Sequence, residues 1–351
     1  MTPLPKFQKS RRATGRVTLA EVAAEAGVSP ITVSRALRGE RAVDPELVHL
    51  VTQAADRLGY VPDPAARALA SQRSDHVAIL IPKLSNALFV DLLDAAQQTL
   101  RAAGYQALIG VTHYDTAQEE QLLREQLMHR PAGVLLTGLH SSAGTTALIA
   151  RSRAPCVHLM DLPPEGEVEV AHSGGHCVGF RQIDAGAAIT RHLLARGRRR
   201  VAFGGAQLDE RVMQRLYGWR KALEQAGCYD PALEWLNPAS SSLALGSAMF
   251  QQMLAAQPDL DAIFFCNDDL AQGALMAALR LGVAVPGRVA VAGFNDLTGS
   301  DQMLPTLTTV RTPRAEIGRT AARLLLSLIR GEQEGPNLVD LGFELVVRDS
   351  T

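Results

Sequence analysis

The spacing of apolar positions changes along the chain at about residue 75. Before that point, apolar side chains recur at helical spacing in three short segments. Beyond it, apolar runs of strand length alternate with amphipathic helical segments, a pattern typical of parallel α/β folds. The sequence therefore predicts a small all-α head followed by a larger α/β body.

The head contains start and stop signals for three helices. Thr18 and Glu21 form the capping box that begins the first helix, and Gly27 supplies the turn after it. Ser29–Pro30 and Asp44–Pro45 each place a capping side chain before a proline, which favours the first turn of a helix. The first two helices are separated by a turn of about three residues, so the pattern predicts a helix-turn-helix.

In the body, two sets of apolar runs predict two parallel sheets. The first set of strands is Val77–Pro82, Ala107–Thr112, Gly133–Thr137 and Cys156–Met160, and the second set is Arg200–Gly204, Asp261–Cys266 and Val289–Gly293. The helices predicted with them are Leu88–Ala103, Arg211–Ala226, Leu243–Ala256, Asp269–Leu281 and Glu316–Ile329. Two such sheets imply two lobes with a cleft between them, and the ligands of parallel sheets bind beyond the carboxyl ends of the strands.

These patterns divide the chain into four segments. They are a disordered basic arm (1–16), a helix-turn-helix domain (17–61), a hinge helix or linker (62–74) and a two-lobed α/β sensor (75–351). We predict that the first lobe combines residues 75–175 with 309–335, and that the second lobe combines residues 176–308 with 336–351.

The net charge of −1 hides an asymmetry between the two ends of the chain. Residues 1–43 carry eight Lys or Arg and three acidic residues, a net charge of +5, so the remainder carries −6. A basic end attracts a polyanion through the phosphate charge and the release of counterions. A solvated basic tail explains the same charge equally well, so charge alone leaves nucleic-acid binding and a plain tail open.

Membrane, secreted and catalytic classes of protein find no support in the sequence. The longest apolar runs are far shorter than the roughly 20 residues of a membrane helix, and the amino terminus lacks the apolar segment of a secretory signal. We therefore expect a cytoplasmic protein with no membrane partner, whose four cysteines, none of them in a Cys-x-x-Cys pair, stay reduced. No P-loop or nucleophile-elbow motif occurs, so we expect neither an enzyme nor a cofactor. His172, His176 and Cys177 share a Gly-rich loop but have no fourth ligand nearby, so we expect no metal.

The run Val17–Arg35, with Leu58–Pro62 after it, resembles the DNA-binding head of the LacI/GalR repressor family. Many residue types recur there at fixed spacing, which makes the motif specific. The body resembles the two-lobed periplasmic sugar-binding proteins, whose fold the family shares. The resemblance implies a transcriptional repressor that binds near-palindromic, double-stranded operator DNA as a homodimer and is controlled by a small molecule.

The resemblance also implies roles for individual residues of the head. It places the second helix in the major groove, with Pro30, Ile31 and Arg35 at base-reading positions. Arg35 can bond to O6 and N7 of a guanine, whereas Pro30 and Ile31 offer apolar contacts only. Hydroxyl side chains that suit contact with the DNA backbone complete the DNA-binding set of the head; they are Thr18, Ser29, Thr32, Ser34 and Tyr60. For Ser29, capping of the second helix is the alternative role.

The run Asp63–Ala70 favours a helix but is far shorter than the ~12 to 15 residues at which isolated helices become marginally stable. We expect it to be disordered until something packs on it. By resemblance it is the hinge helix, which forms on DNA in the minor groove, with Leu69 wedged between base steps and Ala66 in close contact beside it. A plain linker is the alternative.

Seven residues at or just past the ends of predicted strands are candidates for contact with a small-molecule effector. They match effector-contacting positions of the family and are Ser85, Phe89, Asp161, Arg211, Arg215, Asn267 and Asn295. A polyol needs paired donors and acceptors, and a carboxylate suits an arginine fork, so this mixture favours a sugar acid. The alternative for Arg215 is a pair with a surface acid, and Asp268 is expected to cap a helix rather than to contact the ligand.

Within the family, three stretches resemble the regulators of gluconate operons; they are Gln207–Arg211, Cys266–Ala271 and Leu338–Phe343. They imply that the effector is gluconate or a close relative. Arg181–Gln182 departs from the Asp-Asn that many members carry there, and it adds a possible carboxylate partner. Another sugar or sugar acid, such as 2-ketogluconate, is the alternative effector. A sugar-binding transport protein is the distant alternative function, although it would need a signal peptide and would have no use for residues 17–60.

Overall fold

The computed structural model describes residues 17–37, 43–61, 74–139, 141–163, 176–332 and 338–351. The chain divides into two units, Met1–Ser74 and Asp75–Thr351. The amino-terminal arm and most of the predicted hinge, including Ala66 and Leu69, lie outside the described residues. Within the described ranges, no helix is both long and apolar enough to span a bilayer.

Three helices make up the described part of the head, namely α1 (Leu19–Ala26), α2 (Pro30–Leu37) and α3 (Pro45–Leu58). Thr18 begins α1 as predicted, because its hydroxyl accepts a hydrogen bond from the amide of Glu21 at 3.4 Å. The carboxylate of Glu21 accepts in return from the amide of Thr18 at 2.7 Å. Gly27 ends α1 with a φ of +68°, a left-handed conformation that glycine adopts without steric cost.

Small apolar side chains from all three helices form the core of the head. Val22, Val33 and Val51 are fully buried, one from each helix. Among the described residues, five of the eight buried apolar side chains in this core are alanines, which remove little apolar area from water. The head is therefore a small unit that depends on its helix caps as well as on its core.

Parallel strands and the helices that connect them build the body. The strands are β1 (His76–Ile81), β2 (Gln106–Val111), β3 (Gly133–Thr137), β4 (Cys156–Asp161), β5 (Cys177–Phe180), β6 (Val201–Ala206), β7 (Glu234–Asn237), β8 (Ala262–Phe265), β9 (Ala290–Ala292), β10 (Thr309–Arg311), β11 (Leu338–Asp340) and β12 (Glu344–Val346). The helices are α4 (Val90–Ala102), α5 (Thr116–Met128), α6 (Ala143–Ser152), α7 (Gln182–Ala195), α8 (Glu210–Gln225), α9 (Leu243–Ala256), α10 (Asp268–Leu281) and α11 (Arg314–Arg330). Every predicted element of the body is present with ends shifted by at most two residues, whereas α5 to α7 and the short strands β5, β7 and β10 to β12 were not predicted.

Six parallel strands form the sheet of the first lobe, in the order β11-β5-β4-β3-β1-β2. Along β1, Val77 and Ile79 enter one apolar core, while Ala78 and Leu80 enter the core on the opposite face of the sheet. Burial on both faces explains why this strand is a continuous apolar run in the sequence. Four parallel strands in the order β7-β6-β8-β9 form the sheet of the second lobe, and β10 pairs with β12 in an antiparallel ribbon.

The structure moves the boundary between the lobes away from its predicted place. Cys177–Phe180 and Leu338–Asp340 were assigned to the second lobe, but both lie in the sheet of the first, where Cys177 pairs with His158 on one side and with Leu338 on the other. The chain therefore crosses to the second lobe after Phe180 rather than at residue 176. A strand of three or four residues has the same apolar pattern in either sheet, so long-range pairing decides where it belongs.

Candidate functional site

The outward face of α2 carries the residues that were predicted to read DNA bases. Val33 and Ala36 point into the core of the head and are 0% and 3% exposed. Pro30, Ile31 and Arg35 lie on the exposed side of the same helix, and Ile31 is 72% exposed. The helix therefore presents two apolar side chains and one guanidinium to its surroundings.

Two hydroxyl side chains of the predicted DNA-binding set, those of Thr18 and Ser29, lie at the starts of helices. Ser29 Oγ accepts a hydrogen bond from the amide of Thr32 at 3.1 Å and lies 2.8 Å from Thr32 Oγ1, so Ser29 caps α2. Thr18 caps α1, Ser34 is partly buried on α2, and Tyr60 packs partly buried against the core of the head. Their contacts with DNA stay predictions.

In the body, six of the seven predicted effector residues form a cluster at the carboxyl ends of strands from both lobes, in which Gln182 links Asp161 to Arg215; the six are Phe89, Asp161, Arg211, Arg215, Asn267 and Asn295. Asp161 ends β4 of the first lobe, and Arg211 and Arg215 lie in the first two turns of α8 in the second lobe. Ser85 lies exposed in the turn after β1. We refer to the six clustered residues and the space that they border as the cleft.

Arg211 makes contacts with both lobes. Its Nη2 donates to Asp209 Oδ2 at 3.2 Å, its Nη1 lies 3.9 Å from Asp161 Oδ2, and its guanidinium lies 5.7 Å from the ring centre of Phe89. Burial raises the pKa of Asp161 to about 6, and the opposing charge of Arg211 limits that rise. Burial acts to raise the pKa of Asp209 as well, but Arg211 and Arg215 outweigh it and hold this pKa below its ordinary value. Two carboxylates therefore balance the charge of Arg211.

Arg215 is buried with no carboxylate within ion-pair distance among the described residues. It is 1% exposed, and its Nε donates to Gln182 Oε1 at 2.9 Å. Its Nη1 donates to the carbonyl of Cys266 at 2.7 Å and to Asn267 Oδ1 at 3.1 Å, and its guanidinium lies 3.8 Å from the ring centre of Phe294. Burial lowers the pKa of Arg215 to about 10. Its Nη2 donates to none of the residues that the structure describes.

Asn267 and Asn295 follow neighbouring strands of the second lobe and are hydrogen-bonded to each other. Asn295 Nδ2 donates to Asn267 Oδ1 at 3.1 Å. Asn295 is 2% exposed, and its Oδ1 accepts no hydrogen bond from the described part of the chain. Its φ of +110° is rare for a residue other than glycine, and strained conformations of this kind cluster at ligand sites. A buried acceptor without a partner is costly, so this oxygen is suited to a donor from a bound molecule.

Gln182 connects the two lobes inside the cleft. Its amide oxygen accepts from Arg215, and its amide nitrogen donates to Asp161 Oδ1 at 3.2 Å and to the carbonyl of Met160 at 3.3 Å. The sequence marked this position as a departure from the family and as a possible carboxylate partner. Its side chain instead joins an acidic and a basic residue of the cleft.

Two further residues of the cleft were not predicted. Asp209 lies inside a stretch that carried the family resemblance and caps α8, so its position before two arginines was a usable signal. Tyr114 offered none, because it lies in the loop after β2, far from the others in sequence. Its hydroxyl accepts from Asn86 Nδ2 at 3.4 Å; burial raises its pKa, and the nearby charge of Arg211 opposes the rise.

Asp268 does not cap the helix that follows it, contrary to the prediction, because Asn267 stands at the cap position and no side chain makes a cap bond there. Asp268 begins α10, and its carboxylate accepts from the amide of Leu297 at 2.6 Å, from Ser300 Oγ at 3.2 Å and from Thr309 Oγ1 at 2.6 Å. Burial raises its pKa to about 6, against these hydrogen bonds. Its hydrogen bonds thus connect the loop after Asn295 to the strand β10, which begins at Thr309.

No group of three or more His, Cys, Asp or Glu that could hold a metal ion occurs in the described ranges. His172, one of the three residues considered as metal ligands from the sequence, lies outside those ranges. The cleft offers groups that can bind a polar ligand. They are two guanidiniums, amide groups and carboxylates, which lie beside the rings of Phe89 and Phe294.

Comparison with known proteins matches both parts of the chain. Residues 18–63 match the model of bacterial regulatory proteins of the lacI family, and residues 190–351 match the model of the periplasmic binding protein-like domain. The HTH-type transcriptional regulator GntR of Pseudomonas aeruginosa is 53% identical over 99% of each chain.

Two solved structures extend the likeness to three dimensions. The transcription regulator GntR from Chromobacterium violaceum is 52% identical and has a TM-score of 0.73 over 78% of this chain and 98% of its own. A LacI-family transcriptional regulator from Silicibacter pomeroyi is 34% identical and has a TM-score of 0.86 over 95% of this chain and 99% of its own. The second structure covers head and body alike.

Proposed function

Since the chain belongs to the lacI family of bacterial regulatory proteins and is a DNA-binding transcriptional regulator, we propose that its effector is a sugar acid, gluconate or a close relative. This ligand binds in the cleft and controls how tightly the head holds operator DNA. A free dimer represses transcription, and occupation of the cleft changes its affinity for the operator.

The absence of a directly bonded anion at Arg215, among the described residues, is the observation that carries this proposal. All its hydrogen-bond partners among the described residues are neutral oxygens, although it is 1% exposed. A buried cation without an anionic partner is strongly disfavoured, and a ligand carboxylate supplies that partner through the Nη2 donor. Arg211 differs, because Asp209 and Asp161 already balance its charge.

The remainder of the cleft suits hydroxyl groups. Asn295 Oδ1 is a buried acceptor that a ligand hydroxyl can satisfy, and the carboxylate of Asp161 is a second acceptor. The ring of Phe89 supports the carbon chain of a polyol from one side. A molecule with one carboxylate and several hydroxyls matches this combination, whereas a neutral sugar leaves Arg215 without its anion.

Isothermal titration calorimetry with a matched pair of ligands tests the proposal. Gluconate and gluconamide have the same hydroxyls and differ in the charge of one end. Gluconate should bind, 2-ketogluconate should bind with a different affinity, and gluconamide should bind at least about 30-fold more weakly, because charge-assisted bonds to a buried group contribute about 2 kcal/mol or more. Binding of a neutral sugar without binding of gluconate would reject the sugar acid.

Footprinting on the DNA upstream of the chain's own gene, with and without gluconate, tests the link to DNA. Two heads related by a dyad should protect a nearly palindromic site. Linkage requires that gluconate changes operator affinity by the factor by which operator DNA changes gluconate affinity. Protection that does not respond to gluconate or 2-ketogluconate would point to another effector.

We also propose a homodimer that orders its two hinges on DNA. On α10 of the sensor, Met276 and Leu279 lie one helical turn apart and are 40% and 70% exposed, an apolar face that a second copy can cover. Sedimentation equilibrium measures the dimer directly.

Leu69→Ala should weaken operator binding and leave gluconate affinity intact, since the wedge acts only on the DNA.

A further inference from the structure

Arg314, which played no part in the sequence prediction, joins the two lobes beside the cleft. It is the first residue of α11, a helix that packs in the first lobe against α4 and the sheet. Its Nε and Nη2 donate to Asp91 Oδ2 at 3.0 and 2.8 Å, and Asp91 lies in the first turn of α4, two residues after Phe89. Its Nη1 donates to the backbone carbonyl of Asn295 in the second lobe.

The segment that Arg314 contacts is a strained part of the cleft. Asn295 and Asp296 have consecutive positive φ values of +110° and +50°. Residues other than glycine rarely adopt such values, so the surrounding contacts must hold the backbone in this conformation. The carboxylate of Asp296 accepts from Arg311 Nε at 2.7 Å, and its Oδ1 forms an ion pair with Arg348 Nη2 at 2.8 Å. Arg314 differs from these two arginines, because it alone among the three binds the carbonyl of Asn295 and at the same time reaches α4.

We propose that Arg314 is a positioning residue of the effector site: it holds the Asn295–Asp296 turn in its left-handed conformation, aims the side chain of Asn295 into the cleft and couples that turn to the first turn of α4. Occupation of the cleft moves the turn, and the Arg314–Asp91 pair passes this movement to the first lobe. The identity of the ligand in this proposal rests on the proposed function, but the hold on the turn does not.

Hydrogen–deuterium exchange on the full-length protein without ligand tests the hold. In the structure, the amide of Asn295 donates to the carbonyl of Val310 at 2.8 Å, and the amide of Asp296 donates to Thr309 Oγ1 at 3.3 Å. Arg314→Met should speed the exchange of these two amides at least tenfold relative to amides of β6. Arg319→Met, on the exposed side of the same helix, is the matched control and should leave both amides unchanged. Unchanged exchange in a folded Arg314→Met protein overturns the proposal.

Asp91→Asn provides the second variant, which decides the outcome if Arg314→Met does not fold. It removes the negative charge of the anchor on α4 and leaves the bond to the Asn295 carbonyl, so exchange of the two amides should rise only a few-fold. A double variant should exchange no faster than Arg314→Met alone, because both changes break one connection. Full additivity, or no effect of Asp91→Asn, rejects the coupling to α4.

Titrations with gluconate and with operator DNA distinguish a positioning role from a purely structural one. They measure the gluconate Kd and the factor by which gluconate changes operator affinity. Arg314→Met should raise the gluconate Kd at least tenfold, and Asp91→Asn should lower the factor by which gluconate changes operator affinity while changing the Kd itself by less than threefold. If the wild-type protein does not bind gluconate, the sugar-acid proposal fails, whereas the exchange experiment still decides the role of Arg314.

Discussion

The head and the cleft hold their charged residues in opposite physical settings. In the head, Arg35 lies on the exposed side of α2, and the Arg57–Glu25 ion pair is largely hydrated, with the arginine side chain 68% exposed. In the cleft, Arg211 and Arg215 are 6% and 1% exposed. Water stabilises an exposed charge, whereas a buried charge must be balanced by neighbours or by the ligand.

This contrast predicts how substitutions act in each region. Changes on the exposed face of α2 should alter DNA binding and its dependence on salt, and change the stability of the protein little. Changes in the cleft should alter ligand affinity and stability together, because the residues that contact the ligand are also part of the buried hydrogen-bond network.

The largest effect is expected for Arg215→Met. Gluconate affinity should fall by about 2 to 5 kcal/mol, roughly 30-fold to several-thousand-fold in Kd, because the ligand carboxylate loses a buried charged partner. The thermal stability of the ligand-free protein should change by less than the ligand affinity, since methionine removes a buried cation at similar volume but leaves the three oxygens that accept from Arg215 without that donor. Calorimetry and thermal unfolding measure the two quantities.

Arg220→Met is the matched control, because Arg220 lies on the same helix but pairs with Glu234 away from the cleft. It should leave gluconate affinity unchanged. An equal loss of affinity in both variants would mean that α8 needs its arginines for folding rather than for the ligand.

A smaller and pH-dependent effect is expected for Asp161→Asn. The pKa of Asp161 is raised from 3.8 in the unfolded reference to about 6 in the fold, so the folded protein binds an extra proton between these values. Ionisation therefore destabilises the wild-type fold as pH rises through this window, by about 3 kcal/mol once pH exceeds 6, at 1.36 kcal/mol per pKa unit. The variant should gain stability relative to the wild type by that amount between pH 4 and pH 7.

The difference between the two proteins is the quantity to measure, since other groups titrate in the same range. Asp268 has a pKa raised to about 6 and contributes with the same sign, while burial lowers the pKa of His158 and gives the opposite sign. Both contributions cancel when the variant is compared with the wild type at each pH. A stability difference that is flat from pH 4 to pH 7 would show that Asp161 ionises at its ordinary pKa.

In the head, Arg35→Met should weaken operator binding by about 1 to 3 kcal/mol, the discrimination that a bidentate contact with guanine provides. Thermal stability should change by less than about 1 kcal/mol, because the side chain is exposed and contacts of an exposed charge contribute little. Arg57→Met, the control, should alter operator binding little and cost well under 1 kcal/mol, as exposed ion pairs do. Fluorescence anisotropy with operator and random duplexes separates the two: loss of affinity for both duplexes alike would assign Arg35 to the phosphate backbone.

The same contrast explains how far the sequence could predict the molecule. Local signals were sufficient for the head, where the cap at Thr18 and the spacing around Val33 are contained in a few residues. They were also sufficient for positions that follow strands, such as Asn267 and Asn295, because strand ends share one edge of a parallel sheet. The fold class and the residues beside the strand ends therefore followed from pattern and family resemblance.

Long-range contacts set the limits of prediction. The lobe to which Cys177–Phe180 belongs depends on pairing with a distant strand. The contact of Gln182 with Asp161 joins positions 21 apart, the contact of Arg314 with Asp91 joins positions 223 apart, and no local pattern encodes either of them. The residues of the cleft could thus be predicted from the sequence. The hydrogen-bond network that leaves Arg215 without a bonded anion could not be predicted.

The smallest effect is expected for Thr18→Ala, which tests whether the head depends on its caps as the cleft depends on its network. Loss of the cap should cost the head about 1 kcal/mol, while Thr18→Ser, which keeps the hydroxyl, should cost less than half of that. The Thr18 hydroxyl already accepts from the amide of Glu21 and donates to its carboxylate at 3.1 Å, so at low temperature, where the head is folded, operator affinity should fall by no more than about threefold. A larger loss at low temperature, restored by serine, would mean that this hydroxyl leaves Glu21 to bind a phosphate, and the head would then resemble the cleft in using one group for both stability and recognition.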